Sequence, residues 1–226
     1  MNKETQSKTT LLFHTPLSIA VQAIRTCWQS FDKGGCYTHP TDDLEESDIK
    51  LIERIVKKYK HESTIEHISY NFGIDGISRA CLQEIARHRM ASYSVKSTRY
   101  TLKELKGEEE FTDFDNEYDY NRASKYLVWT GNRNVDITSF FALEDLRHNI
   151  NDGISNDLAK YSLPEAYKVS LVMTMNARSL KNFLHLRTNK AALWEIRQLA
   201  YGLFDALPQK HKFIFEDAIY EEDSDS

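Results

Sequence analysis

Fourteen consecutive residues carry the densest chemistry in the chain: Arg87-His88-Arg89-Met90-Ala91-Ser92-Tyr93-Ser94-Val95-Lys96-Ser97-Thr98-Arg99-Tyr100. Four cations, a histidine and several hydroxyls stand together, with little apolar content and neither Gly nor Pro. The stretch is therefore neither core nor a generic turn. Arginine forks match the paired oxygens of a phosphate, and hydroxyls add directed bonds, so these residue types point to an anion site. Complementing a helix dipole would need only one cation. That role leaves Ser92, Ser94, Ser97, Arg99 and Tyr100 without a reason. Alone, the stretch specifies phosphate but not which phosphorylated molecule.

Other groups are less specific. His61-Glu62 and Glu66-His67 bracket a polar link, but the two histidines lack the i, i+4 spacing of a helical zinc site, so no metal is expected. Polar ligands near a site and a structural hydrogen-bond cluster both fit them. Arg178, Asn182 and Arg187 make a second polar helix face, for which a solvated side is the competing reading. Asn176 in front of that helix also suits a cap. Glycine-rich nucleotide loops and a nucleophile elbow are absent. Cys27, Cys36 and Cys81 are odd in number and form no C-x-x-C pair, which argues against a disulfide framework and fits a cytoplasmic protein. Cys27 and Cys81 fall on predicted buried stripes and read as core rather than nucleophiles.

Two strands and their following helices must position these groups. Ile68, Tyr70, Phe72 and Ile74 alternate with polar residues, and Asp75-Gly76 predicts a turn into a helix over 77–89. Arg79, Gln83 and Arg87 line one face of that helix. Tyr167, Val169, Leu171 and Met173 predict a second strand, followed by a helix over 177–186 and another over about 191–206. The same layout of strand, polar turn and Arg-bearing helix thus occurs twice. Upstream, Leu11–Phe13 predicts a strand. Thr15-Pro16 predicts a cap and first turn for a helix over 17–31, with Trp28 and Phe31 on its buried stripe and Gly34-Gly35 as its break. Ser47 predicts the start of a helix burying Ile52, Ile55, Val56 and Tyr59. The segment after Arg89 reads as irregular, and 101–118 as a mobile acidic excursion. Helical patterns follow over 121–130 and 137–150, and a short helix leads to Leu163-Pro164.

Length and charge bound the function. A chain of 226 residues with 41% hydrophobic content can bury a core and predicts one domain over 1–226, with disordered tails at 1–10 and 217–226. Net charge is −5, so the basic stretch is a local device and not a sign of wholesale nucleic-acid binding. Acidic charge at Glu108–Asp119 and Glu216–Asp225 reads as solvated loop and tail. No apolar run approaches the roughly 20 residues that cross a bilayer.

Arg87-His88-Arg89-x-x-Ser92-x-x-x-x-Ser97-x-Arg99 resembles the signature of the flavin-dependent thymidylate synthases, R-H-R-x(2)-S-x(4)-S-x-R. His61-Glu62-Ser63, Glu66-His67, Asn176-Ala177-Arg178-Ser179-Leu180, Asn182, Leu186-Arg187 and Trp194-Glu195-Ile196 extend the likeness over most of 17–205. The resemblance implies an α+β fold, an antiparallel sheet flanked by helices with a helical lobe. It implies a homotetramer with shared active sites that converts dUMP to thymidylate. Methylenetetrahydrofolate would give the carbon, NADPH the hydride, and FAD would carry it. By resemblance, Ser63, Arg87, His88, Arg89, Asn176, Arg178 and Asn182 contact FAD, and Glu84, Arg87, Ser97, Arg99, Lys160 and Arg187 contact dUMP. His61 lies near flavin and folate, and Arg187 is the catalytic residue. Glu84 and Lys160 stand where many relatives carry Gln and Arg. Val95, Thr98, Ala191 and Leu193 replace a common acidic residue, glycine, histidine and glutamine. The family uses no cysteine nucleophile, in keeping with the three thiols. A flavin reductase or oxidase without methyl transfer is the alternative, and an RNA- or nucleotide-binding module built on Lys96, Arg99 and Tyr100 a more distant one.

Overall fold

A computed structural model describes residues 7–220. In chain order its elements are β1 (Lys8–His14), α1 (Ser18–Trp28), α2 (Glu46–Glu53), β2 (Ser69–Ser78), α3 (Arg79–Ala86), β3 (Ala91–Val95), α4 (Thr98–Thr101), α5 (Glu117–Ala123), α6 (Arg133–Asn151), α7 (Asn156–Ala159), β4 (Lys168–Asn176), α8 (Ala177–Arg187) and α9 (Trp194–Asp205). The strands form one antiparallel sheet in the order β1-β2-β4-β3, with helices around it, as an α+β chain requires. Antiparallel register is visible at both ends of the β2–β4 pair. Ala177 N donates to Ile68 O at 2.7 Å, and Arg79 N to Tyr167 O at 3.0 Å. The expected tails are ordered as far as they are described, with Lys8–Thr10 inside β1 and Glu216–Ala218 in a 3₁₀ turn. Residues 1–6 and 221–226 lie outside the described residues.

The chain divides into two units by packing. The first holds Thr9–Gly73, Arg87–Tyr93 and the chain from Val172 on; the second holds Ile74–Ala86 and Ser94–Leu171, with the chain up to Lys8. In the first unit Val21, Ile24, Ile52, Phe72, Phe183 and Leu199 are among the fully buried side chains. A polar network sits among them. Tyr70 Oη donates to His211 Nδ1 at 2.7 Å, and His211 Nε2–H reaches Asp42 at 2.8 Å. His14 Nε2 lies 2.7 Å from the other Asp42 oxygen, and Leu17 N donates to Asp42 at 2.7 Å. Burial lowers the His211 pKa, in keeping with a ring that donates at one nitrogen and accepts at the other.

In the second unit Leu102, Leu105, Phe111, Phe140, Leu146 and Tyr167 belong to one apolar cluster. The acidic segment expected to be a mobile excursion is packed against it. Glu108 and Asp119 are drawn in by Arg122, which bonds Asp119 at 2.7 Å, Glu108 at 3.3 Å and the carbonyls of Glu109 and Glu110 at 2.8 Å each. Its guanidinium lies 4.5 Å from the Phe111 ring centre. A guanidinium with this many partners tolerates burial, and it turns an acidic loop inward.

Several local expectations change for physical reasons. The strand begun at Ser69 runs through Asp75-Gly76 to Ser78, so α3 starts at Arg79 with the Ser78 hydroxyl accepting from Cys81 N at 3.0 Å. α1 ends at Trp28, with Gln29 left-handed at φ 45°. Its stripe stops earlier than periodicity implied: Cys27 is exposed, and Trp28 is 50% exposed. Thr15 is no cap, since its hydroxyl accepts from Ser69 N. Gly34-Gly35 does not break α1. Gly35, at φ +78°, lies where a Cβ would come within 2.7 Å of Val21, against the Arg25 side chain. α2 opens at Glu46 with Glu45 as its capping position, passes into a π-turn over Arg54–Lys58, and leaves Tyr59 exposed. The predicted helix over 121–130 is α5, which starts earlier, where Asn116 Oδ1 accepts from Tyr118 N and Asp119 N.

Candidate active site

α8 builds one wall of a large polar cavity in the first unit. Asn176 caps it, its Oδ1 accepting from Ser179 N at 2.8 Å, so the helix begins at the end of β4. Ala177, Leu180, Phe183 and Leu184 are buried, which turns Arg178, Asn182, His185, Leu186 and, beyond the helix, Asn189 outward on one stripe. That stripe lines a cavity of about 1120 Å³. Arg87, His88 and Arg89, which follow α3 and precede β3, line it too, as do Asn176, Ser179 and Arg187. The Arg87–Arg89 stretch and the polar face of α8, far apart in sequence, thus meet around one space.

The two sides are joined at His88. Arg187 Nε donates to His88 Nε2 at 2.9 Å, so that nitrogen accepts and the ring proton belongs on Nδ1. The ring packs on Phe183 with centroids 4.6 Å apart, and Tyr93 Oη holds the His88 carbonyl at 2.8 Å. Arg178 pairs with Glu66 at 2.5 Å, and Glu62 with the buried Lys181 at 3.3 Å. Arg87, Arg89, Arg178 and Arg187 thus face two carboxylates, both in ion pairs. Such a lining favours a ligand with more than one anionic group.

Other expected site residues lie elsewhere. Ser63, in the 3₁₀ turn Glu62–Ile65, lines a smaller cavity of about 390 Å³ with Thr26, Cys27 and His67. His61 is exposed and stacks on Trp28 at 6.2 Å. In the second unit Glu84 is half-buried on α3. Ser97 heads α4, its carbonyl accepting from Tyr100 N and Thr101 N at 3.2 Å. The segment before it, expected to be irregular, is the edge strand β3. Arg99 is exposed, with Nε 2.7 Å from Asp157 and its carbonyl taking Asn156 Nδ2 at 2.7 Å. Lys160 follows α7, its ammonium 5.9 Å from the Tyr161 ring centre.

A family model described as "Thymidylate synthase complementing protein" matches residues 10–211. The flavin-dependent thymidylate synthase of Campylobacter jejuni is 58% identical over 215 residues, 94% of this chain and 98% of its own. That of Wolinella succinogenes is 57% identical over 206 residues, covering 91% of this chain and 96% of its own. The chain belongs to the flavin-dependent thymidylate synthases.

A crystal structure of the Helicobacter pylori flavin-dependent thymidylate synthase, solved with FAD and dUMP, aligns at a TM-score of 0.87 and 48% identity, covering 95% of this chain and 100% of that chain. Arg87–Arg89 were marked by residue type, and Asn176, Arg178, Asn182 and Arg187 through the family resemblance, and all of them share one cavity. His185, Asn189 and Tyr220 were not marked, although they line it. The helical stripe from Arg178 through Asn182 extends to His185 and Asn189, so periodicity carried a signal for those two. Tyr220 had none, because it lies in the segment expected to be a disordered tail.

Proposed function

We propose that the protein makes thymidylate by reductive methylation of dUMP, with methylenetetrahydrofolate as carbon donor, NADPH as reductant and FAD as hydride carrier. The observation that carries this reading is the single cavity in which Arg87, His88, Arg89, Asn176, Arg178, Asn182 and Arg187 converge. Its donor set fits FAD: the guanidinium groups of Arg87, Arg89 and Arg178 suit a diphosphate, and the Asn176 and Asn182 amides and the His88 ring suit a polar heterocycle. When bound, FAD would supply the hydride that uracil C6 accepts.

The residues' tasks follow from that chemistry. Arg87, Arg89 and Arg178 bind and orient the diphosphate, with Asn176, Asn182 and Ser63 as further contacts. Arg187 stabilises the uracil ring as negative charge gathers over O4 and N3, a preorganised electrostatic role. Its Nε bond to His88 holds the guanidinium plane before substrate arrives. Ser97 and Arg99 grip the dUMP phosphate, Lys160 adds charge there, and Glu84 meets the base edge. His61 belongs to the folate side. The whole chain acts as one functional domain in a cytoplasmic homotetramer whose copies share sites. No helix among the described residues is long and apolar enough to cross a membrane.

The test is visible absorbance of the purified protein with added FAD, followed by tritium release from C5-labelled dUMP. Release that requires FAD, NADPH and the folate together is expected. Flavin reduction by NADPH without dUMP-dependent release would leave a flavin reductase and remove the synthase reading.

A further inference from the structure

The cavity holds an aromatic pair that the signature does not mention. Tyr220 and His185 both line it, their rings stacked at 29° with centroids 5.4 Å apart. Tyr220 is still 40% exposed. Its backbone is anchored from behind. Its N–H donates to Thr188 Oγ1 at 3.1 Å, and its carbonyl accepts from Tyr201 Oη at 3.0 Å. Two residues earlier the segment lies in the turn Glu216–Ala218, where Asp217 pairs with Lys181 at 2.9 Å and with Lys60 at 3.3 Å. The backbone that carries the ring is thus anchored, and the ring itself rests on His185 at the cavity wall.

We infer that the Tyr220–His185 pair is a stacking platform for the adenine ring of FAD. The inference rests on the flavin reading of this cavity and goes beyond it by assigning a purine subsite to residues outside the signature. FAD brings two planar groups and one diphosphate, and the arginines answer only the diphosphate. The redox ring must lie beside the uracil, hence at Arg187 and its partner His88. Tyr220 and His185 are the aromatic pair stacked on each other in the cavity lining, and so serve the second planar group. A rigid, pre-placed ring binds a base at little entropic cost, and every base offers a π face for such a platform.

The experiment compares FAD with FMN, which keeps the redox ring and lacks the adenylate, on the full chain carrying Tyr220→Ala. Because Thr188 and Tyr201 hold the backbone, losing the ring should leave the segment in place; a thermal melt of the protein without ligand checks this. Base–aromatic stacking predicts that FAD affinity falls roughly 5- to 150-fold. FMN affinity should change less than about twofold, and Tyr220→Phe should retain the parent affinity for both. Unchanged FAD affinity in the folded variant overturns the platform, as does an equal loss for FAD and FMN. If Tyr220→Ala does not fold, Tyr220→Leu keeps bulk without a π face and carries the same expectation. Failure of the parent chain to bind FAD would instead reject the flavin reading, and it is seen before any substitution is made.

Discussion

Replacing Lys181 with methionine tests whether the cavity wall and the C-terminal turn form one structure. Lys181 lies on the buried face of α8, its side chain only 8% exposed, with Asp217 at 2.9 Å and Glu62 at 3.3 Å. Methionine fills the space but leaves two carboxylates without this cation. Were both fully buried, the loss would be about 3–5 kcal/mol; exposed pairs are worth about 0–1 kcal/mol. Glu62 and Asp217 are 25% and 31% exposed, and Asp217 keeps Lys60 at 3.3 Å. The expected cost is therefore about 2 kcal/mol, or a melting point lower by roughly 4–8 °C at this chain length. Burial would raise the Asp217 carboxyl, but the Lys181 and Lys60 ammonium groups outweigh it and hold the pKa below its usual 3.8. A depressed carboxylate stabilises the fold above its unfolded pKa and loses that contribution as pH falls through the folded value. Urea unfolding of parent and Lys181→Met should thus show a gap at pH 7 that narrows below about pH 4. Because Glu62 and Tyr220 line the cavity, FAD affinity should weaken too. A variant as stable as the parent at pH 7, or a gap that does not change with pH, would refute the argument.

Asp119 gives a second pH test. Burial raises its pKa, but the Arg122 guanidinium and the Thr112 and Asp113 amides outweigh this and hold the carboxyl at about 2. Asp119→Asn should cost about 2 kcal/mol in chemical denaturation at pH 7, and the difference should fade as pH drops from about 4 toward 2. Arg187→Ala should lower tritium release on saturating FAD by about 10²–10³-fold while FAD affinity changes less. Normal turnover with collapsed affinity would mean its role is to grip the cofactor. Replacing Cys27 and Cys36 with Ser and Cys81 with Ala should preserve turnover in protein shown by circular dichroism to be folded. Loss of tritium release there would revive a thiol nucleophile.

How much could be read from sequence depended on the range of the interaction. β2 and β4 were legible because alternation is local, and so were the buried faces of α8 and α9. The acidic stretch after Tyr100 was misjudged because its cations, Arg122 and Arg147, come later in the chain. Arg147 holds Glu144 through two bonds at 2.7 and 2.8 Å, and Glu144 in turn accepts from Phe111 N. Composition at the loop itself carries no trace of that pairing. β3 was missed for a related reason: as an edge strand it needs little apolar content, so cations and hydroxyls hid it. The stripe of α1 was carried too far, to Cys27 and Trp28, because periodicity does not say where a neighbour stops. At the site, residue type found the arginines and asparagines, whereas Tyr220 and Lys181 depend on a tertiary contact.

The first unit is assembled from pieces at both ends of the chain, with His14 and Asp42 meeting His211, and Arg87–Arg89 meeting α8 and Tyr220. During synthesis, the early pieces must wait. At roughly 5–20 residues per second, the chain is exposed for on the order of ten seconds or more before its last partners are made. Until then Tyr70, Ile52 and Phe72 have no complete core to enter. A chain cut short before residue 211 would lack both the buried His211 and the Tyr220 edge of the cavity.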